Sequence, residues 1–153
     1  MAQLHIRPAT HEDLPILIAM LADDFLGKER GDHISQDLAH SYDEAFAAIE
    51  ANPHQSLLVA EREGQVIGCY ELTLIPGLSY QGAWKAIIEG VRIASPWRGQ
   101  GYGHQLLSHA ISLARSKGAR TLELTTNKQR KDAQRFYDQL GFKNSHEGYK
   151  LDL

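Results

Sequence analysis

The sequence has little of what secreted, membrane and nucleic-acid-binding proteins usually contain. One cysteine, Cys69, stands among 153 residues, so no intramolecular disulfide can form, and a free thiol in an apolar stretch is typical of a reducing compartment. The apolar runs fall short of the roughly 18 residues that a transmembrane helix needs, and the N-terminus lacks the apolar core of a signal peptide. We therefore expect a cytoplasmic protein with no membrane partner.

Positive charge is not in excess either. Lys and Arg number 16 against 19 Asp and Glu, a formal net charge of -3, so we expect no nucleic acid partner. His33, His40 and His146 show no spacing typical of a metal site, and no metal is expected. With 42% hydrophobic and 23% charged residues, the chain is ordinary for a globular protein. We predict a single domain over residues 1–153.

The hydrophobic pattern predicts alternating strands and helices. Strands are predicted at residues 4–7, 56–62, 66–75, 86–94, 121–126 and 150–153. Helices are predicted from about 11 to 25 after a capping box at Thr10, from a second capping box at Ser41 and Glu44, from about 106 to Gly118, and around 133–140. The order β-α-α-β-β-β-α-β-α-β predicts an α/β fold with a central mixed, mainly antiparallel sheet, in which residues 86–126 form a parallel crossover.

A glycine-rich turn, Arg98-Gly99-Gln100-Gly101-Tyr102-Gly103, stands between a predicted strand and a predicted helix. Its glycines permit positive φ angles and close approach of a ligand to backbone N–H groups. The first N–H groups of a helix have no internal partner and carry partial positive charge, which favours phosphate or pyrophosphate. The alternative is a turn that only joins strand to helix. The P-loop and Rossmann patterns do not fit, because His104 follows Gly103 and the glycines alternate.

The pattern Arg98-x-x-Gly101-x-Gly103 resembles the coenzyme A pyrophosphate loop of the GNAT family of N-acetyltransferases. The segment from Phe136 to Phe142 and the opening Arg7-Pro8-Ala9 are also similar to that family, so the resemblance covers nearly the whole chain. Residues 125–137 are similar to a subgroup that includes aminoalkylphosphonate acetyltransferases. The resemblance implies the acyl-CoA N-acyltransferase fold, acetyl-CoA as co-substrate and an acetyltransferase activity.

The resemblance also implies where acetyl-CoA binds. The fourth and fifth strands are expected to part around the pantetheine arm, with backbone contacts from Val91, Arg92 and Ile93. Asn127 is expected to contact the same arm, or alternatively to satisfy its own loop backbone. The phosphate contacts are expected from Arg98, Gly99, Gln100, Gly101, Tyr102 and Gly103. Arg98 has a second interpretation as a structural or solvated arginine.

Two side chains are candidates for proton transfer. The resemblance places Tyr137 beside the coenzyme sulfur, where its hydroxyl would protonate the leaving thiolate; helical spacing alone favours a core aromatic. Glu89 lies in the fourth strand, where it would act as base directly or through water. The alternative for Glu89 is an exposed strand carboxylate, and Glu71 on the neighbouring strand is a weaker candidate of the same kind.

The acceptor side is less clearly marked. Asp23, Asp24, Glu29 and Asp32 would attract a cationic amine, or only aid solubility. Tyr80 and Trp84 would line the acceptor pocket or a subunit contact. We predict acetyl transfer to a primary amine of a small molecule by direct attack. A protein amine as acceptor and a coenzyme A-binding module without turnover stay open as alternatives, and the resemblance also implies a homodimer.

Overall fold

The computed structural model describes residues 3–23, 25–32 and 36–153. The chain forms two compact units, Met1–Glu123 and Leu124–Leu153. The organisation of residues 1–153 as a single domain stays a prediction. Within the described residues, no helix is both long and apolar enough to cross a bilayer.

The first unit is built on a five-stranded sheet in the order β1-β2-β3-β4-β5. β1 to β4 pair antiparallel, and β5 runs parallel to β4, as the sequence predicted. The strands are β1 His5–Pro8, β2 Gln55–Arg62, β3 Gln65–Ile75, β4 Lys85–Ile93 and β5 Thr121–Glu123. The helices of this unit are α1 Leu14–Ala22, α2 Phe25–Arg30, α3 Gln36–Ala51, the short α4 Ser79–Gly82 and α5 Tyr102–Ser116. The predicted mixed, mainly antiparallel sheet is therefore confirmed.

Helix α1 follows a 3-10 turn whose start is fixed by Asp13. The capping box predicted at Thr10 is present, with the Thr10 backbone N–H donating to the Asp13 carboxylate over 2.7 Å. Asp13 also accepts two hydrogen bonds from the Arg7 guanidinium, at 2.8 and 3.0 Å, which hold the pKa of Asp13 below its usual range. Arg7 in turn donates to Glu61 of β2, so this cluster ties the start of α1 to the sheet.

Two sequence-based boundaries are wrong. Residues 27–40 lie between the helices that the sequence predicted, yet they contain part of α2 and the first residues of α3. Ser41 consequently lies inside α3, and the Glu44 carboxylate pairs with His40 one turn earlier, at 3.1 Å, instead of capping a helix. A polar helix face resembles a loop in sequence, because both are solvated.

The core occupies both faces of the sheet. On one face, α5 packs against β3 and β4 with buried side chains that include Leu106, Leu107 and Ala110. On the other face, Leu17 and Met20 of α1 pack against Val59 and Cys69. Successive side chains of a strand point to opposite faces of the sheet, so the same strands contribute to the core on both faces.

The second unit, Leu124–Leu153, contains α6, Lys131–Gln139. Within the described residues of this unit there is no strand, so the closing strand predicted at Lys150–Leu153 is absent from the structure. Alternating apolar and polar residues make a strand only when a neighbouring strand supplies hydrogen-bond partners.

Candidate active site

Strand β4 departs from regular pairing where the predicted thioester contacts begin. Its register against β3 shifts between Glu89 and Arg92, so Gly90 and Val91 together face Tyr70. Gly90 has a φ of 60°, in the left-handed region. Such a bulge takes one residue out of the ladder and re-aims the groups beside it. The predicted contact segment, Val91–Ile93, therefore starts at a local irregularity of the sheet.

The same segment lies unusually close to β3 because Gly68 has no side chain. A Cβ on Gly68 would lie 2.8 Å from Cδ1 of Ile93 and 2.9 Å from the carbonyl oxygen of Arg92. Real Cβ contacts are essentially never that short. The close packing fixes the backbone of β4 next to the bulge.

The glycine-rich turn has the backbone conformation that its sequence predicted. Gly99 and Gly101 have φ values of 72° and 83°, both left-handed, and α5 begins directly after them at Tyr102. Alternation of left-handed glycines with ordinary residues turns successive N–H groups toward a common concavity, which is typical of anion-binding nests. The N-terminus of the 15-residue α5 adds partial positive charge.

Side chains hold this turn in place. Arg98 donates from Nε to the Ile93 carbonyl over 2.9 Å and from Nη2 to the carbonyl and carboxylate of Asp23 over 3.3 and 3.4 Å. The Ser95 hydroxyl donates to the same carboxylate. The buried Tyr102 ring contacts Trp97 edge-on, with 5.8 Å between centroids. The structural interpretation of Arg98, left open by the sequence, thus has direct contacts in its support.

The two candidate carboxylates lie directly opposite each other. Glu89 of β4 pairs with Glu71 of β3 in the ladder. Glu89 is exposed, whereas Glu71 is half-buried, and a Cβ placed on Gly90 would lie 3.8 Å from Oε1 of Glu71. Burial, together with the charge of Glu89, raises the pKa of Glu71 above its usual range. Glu71 is therefore the more enclosed of the two groups beside the bulge.

Tyr137 and Asn127 belong to the second unit. Tyr137 is half-buried on α6, between Phe136 and Phe142, with ring centroids 5.5 and 5.8 Å away. Oδ1 of Asn127 accepts a hydrogen bond of 2.9 Å from the backbone N–H of Gln129. Asn127 therefore bonds the backbone of its own loop, which was the alternative interpretation of this residue. The roles of both residues toward coenzyme A stay predictions.

Two of the four acidic residues expected on the acceptor side, Asp23 and Asp32, form hydrogen bonds elsewhere. Asp23 bonds the turn as described, and Asp32 accepts a hydrogen bond of 2.9 Å from Nε of Arg30. Glu29 is exposed. Asp24 and His33 lie outside the described residues.

The loop around α4 has an unusual backbone. Tyr80 and Gln81 both have left-handed conformations, with φ of 52° and 63°. The Arg120 guanidinium lies over the Tyr80 ring at 4.6 Å, and Trp84 stacks against His54 at 4.9 Å. These contacts hold the two aromatic residues within the first unit. The roles predicted for them, in an acceptor pocket or a subunit contact, stay predictions.

Two hydrogen-bonding contacts of β3 were not predicted from the sequence. The Tyr70 hydroxyl and Nδ1 of His109 lie 2.8 Å apart between β3 and α5, and burial lowers the pKa of His109. The Cys69 thiol donates to the Gly90 carbonyl over 3.5 Å, and burial raises the pKa of Cys69 to about 12, which keeps it a thiol. Contacts between residues so far apart in the chain leave no local sequence signal.

Among the described residues, no group of three or more metal-ligating side chains converges.

Comparisons with known proteins agree with this architecture. The family model described as the acetyltransferase (GNAT) family matches residues 18–142. The aminoalkylphosphonate N-acetyltransferase of Salmonella typhimurium is 35% identical over 141 residues, covering 92% of this chain and 86% of that protein. A crystal structure of a transcriptional regulator from Bacillus halodurans is 46% identical, with a TM-score of 0.93 over 99% of this chain and 100% of that one. Glucosamine-6-phosphate N-acetyltransferase of Arabidopsis thaliana shares the fold, with 18% identity, a TM-score of 0.78 and 99% of both chains covered.

Proposed function

The chain belongs to the acetyltransferase (GNAT) family, and on that premise we propose that it transfers the acetyl group of acetyl-CoA to a primary amine of a small molecule by direct attack. Its N-acetyltransferase homologues support an acyltransferase enzyme. The observation that carries the finer proposal is the turn Arg98–Gly103, with two left-handed glycines at the N-terminus of α5.

The residues at this turn fit a pyrophosphate group. Backbone N–H groups from Gly99 to Gly103 supply donors, and the helix dipole supplies positive potential without a mobile side chain. A Cβ on Gly99 would meet no atom within 4 Å, so the backbone of the turn is open at this position. Arg98 contributes mainly by fixing the turn, through Ile93 and Asp23, and adds long-range charge.

Acetyl-CoA supplies the reactive thioester; the chain supplies position and proton transfer. In the proposed reaction Glu89, directly or through water, takes a proton from the ammonium group, and the neutral amine then attacks the acetyl carbon. The new C–N bond forms while the C–S bond breaks, the Tyr137 hydroxyl protonates the departing thiolate, and the proton that the nitrogen loses on becoming an amide returns to Tyr137. A backbone N–H of Val91–Ile93, beside the bulge, donates a hydrogen bond to the thioester oxygen.

The small-molecule acceptor is supported by the relative that acts, by its name, on aminoalkylphosphonates. A protein amine would require an open groove; beside the bulge, the described residues line a cavity of about 110 Å³. A homodimer and a cytoplasmic location stay predictions.

Binding of acetyl-CoA gives the first test. Ligand at about 100 times its Kd stabilises a folded protein by about 2.7 kcal/mol, which raises the Tm of a chain this size by several degrees. We expect that rise, together with a dissociation constant measurable by titration calorimetry. An unchanged Tm at saturating acetyl-CoA would refute the proposal.

The matched pair Gly99→Ala and Gly118→Ala identifies the binding region. Both glycines flank α5, both have left-handed φ (72° and 80°), and a Cβ would meet no atom within 4 Å at either. The backbone strain is therefore similar, of about 1–2 kcal/mol. We expect Gly99→Ala to weaken acetyl-CoA binding by about tenfold or more, and Gly118→Ala to leave it within about twofold. Equal effects would place the coenzyme elsewhere.

A further inference from the structure

A cavity of about 110 Å³ lies between α1, α3 and the sheet, on the face opposite α5. Apolar side chains from both helices and from β2 form most of its wall. These side chains include Leu17, Ile18, Phe46, Ile49 and Leu57. Ala45 on α3 is exposed and also lines the cavity, so the space reaches the protein surface along that helix.

One charged group enters this apolar space. Among the described lining residues, Glu71 is the only one with a carboxyl group; Tyr42 and Cys69 are the other titratable ones. Gly90, the residue of the β4 bulge, lines the cavity next to the Glu71 carboxylate. The cavity therefore ends at the point where the proposed thioester contacts of Val91–Ile93 begin.

The surroundings of Glu71 are unfavourable for an isolated carboxylate. Glu89 lies directly opposite in the ladder, and like charges in that position destabilise a sheet. Gln55 bonds the Glu71 side chain, but an amide brings no charge to offset the pair. A cation at the end of the cavity would be stabilised by both carboxylates, and an alkyl group beyond it would displace water from apolar wall.

We propose that this cavity binds the alkyl part of the acceptor, with the Glu71 carboxylate anchoring its amine, so that the substrate class is primary amines with a short alkyl body. The inference rests on the proposed acetyltransferase function and specifies its acceptor. A cavity of about 150 Å³ lined by Leu, Ile and Phe holds benzene, so 110 Å³ suits a somewhat smaller group, such as a branched alkyl chain.

An anionic acceptor fits this cavity poorly. The described lining residues include no Lys, Arg or His, and the one charge present is negative. A phosphonate would lose its hydration without gaining a cationic partner, which is costly for a charged group. The acceptor named for the 35% identical relative is therefore not the one that this lining favours.

A panel of amines tests the substrate class. Thiol release from saturating acetyl-CoA is measured with 3-methylbutylamine, putrescine and 2-aminoethylphosphonate under the same conditions. We expect kcat/KM for 3-methylbutylamine to exceed that for each of the other two by about tenfold or more. Preference for the phosphonate or the diamine overturns the inference while the proposed function stands. Bound acetyl-CoA with no transfer to any amine overturns both.

Two alanines on α3 provide a matched pair for the cavity. Ala45 lines it and Ala48 does not, although both are exposed on the same helix. We expect Ala45→Leu to lower kcat/KM for 3-methylbutylamine by about tenfold, with a smaller effect on methylamine, and Ala48→Leu to leave both within about twofold. The same loss in both variants contradicts alkyl binding in this cavity.

Glu71→Gln separates an anchoring role from a structural one. The variant keeps the shape of the side chain and its bond to Gln55 but removes the charge facing Glu89. We expect the KM for 3-methylbutylamine to rise by about 10–100-fold, with acetyl-CoA affinity unchanged. Because burial and Glu89 raise the pKa of Glu71, the ionised carboxylate costs stability above the usual Glu pKa, and we also expect a higher Tm for the variant near neutral pH. An unchanged amine KM overturns the anchoring role.

Discussion

The turn Arg98–Gly103 and the cavity beside Glu71 are built in different ways. The turn offers backbone N–H groups, and its shape comes from two left-handed glycines and the start of α5. The cavity offers side chains from α1, α3 and two strands, β2 and β3. A site made of backbone depends on a few consecutive residues, whereas one made of side chains depends on how distant elements pack. We therefore expect substitutions to separate donor binding from acceptor binding.

The largest effect is expected from a residue that serves neither binding region. Tyr137→Phe removes the proposed proton donor and should lower kcat by about 100-fold or more, with both KM values within about twofold. Steady-state kinetics with each substrate varied in turn measures this. Tyr149→Phe, an exposed tyrosine of the same unit, is the control and should have no effect. If kcat is unchanged in Tyr137→Phe, another group protonates the thiolate.

Asp13→Asn should affect the acceptor side more than the donor side, because Asp13 fixes the start of α1, which lines the cavity. Losing hydrogen bonds to a charged partner costs about 1.5–3 kcal/mol in the free energy of unfolding. The pKa of Asp13 is lowered on folding, so its contribution is complete above the usual Asp value and disappears as pH falls through the folded value.

Urea unfolding of the wild type and of Asp13→Asn as a function of pH checks the direction of this pH dependence. The difference in stability should be largest near neutral pH and shrink below about pH 3.9. Glu12→Gln, an exposed acid in the same 3-10 turn, should leave stability unchanged. A difference that grows on acidification would contradict the assignment.

Gly68→Ala should affect the donor side. Its Cβ would collide with the Arg92 carbonyl and the Ile93 side chain, and β4 would shift beside the bulge. Overpacking of this kind costs about 1–2 kcal/mol, and acetyl-CoA affinity should fall by a similar amount. Gly148→Ala, where a Cβ meets nothing within 4 Å, is the control for calorimetry and unfolding. Unchanged acetyl-CoA affinity would show that Val91–Ile93 does not contact the coenzyme.

The smallest effect is expected from Asp23→Asn, which weakens the links from Asp23 to Ser95 and Arg98. The Asp23 and Arg98 side chains are about half exposed, and such pairs contribute less than about 1 kcal/mol. The KM for acetyl-CoA should therefore change by less than about threefold, and Ser95→Ala should do the same. A loss of about 30-fold or more would show that acetyl-CoA binding depends on these side-chain contacts more than on the backbone, and the contrast between the two regions would fail.

The sequence predicted features that depend on consecutive residues, and it missed features that depend on how distant elements pack. Helix α5 was predicted because its apolar residues repeat on one face, and strands β2 and β3 because two strand-like runs follow each other at residues 56–62 and 66–75. The start of α3 was missed because its first turns are polar. The bulge at Gly90 was missed as well, since it exists only as a register difference between β3 and β4.

Among the candidate site residues, the conformations of Gly99 and Gly101 followed from their spacing. The greater burial of Glu71 relative to Glu89 did not, because burial is decided by which helices cover each strand. Asp23 was expected to attract an amine, and its engagement by Arg98 and Ser95 joins residues more than 70 positions apart.

The sequence by itself determined the mixed sheet and the left-handed glycines of the turn, because these depend on local periodicity or on glycines at fixed spacing, and its resemblance to known motifs indicated the family. Only the tertiary structure decided that Arg98 is held by Asp23, that β4 carries a bulge beside Val91 and that Glu71 faces an apolar cavity. These features arise from packing between distant segments, and the free energy of burying or opposing charges is set only once those segments are in contact.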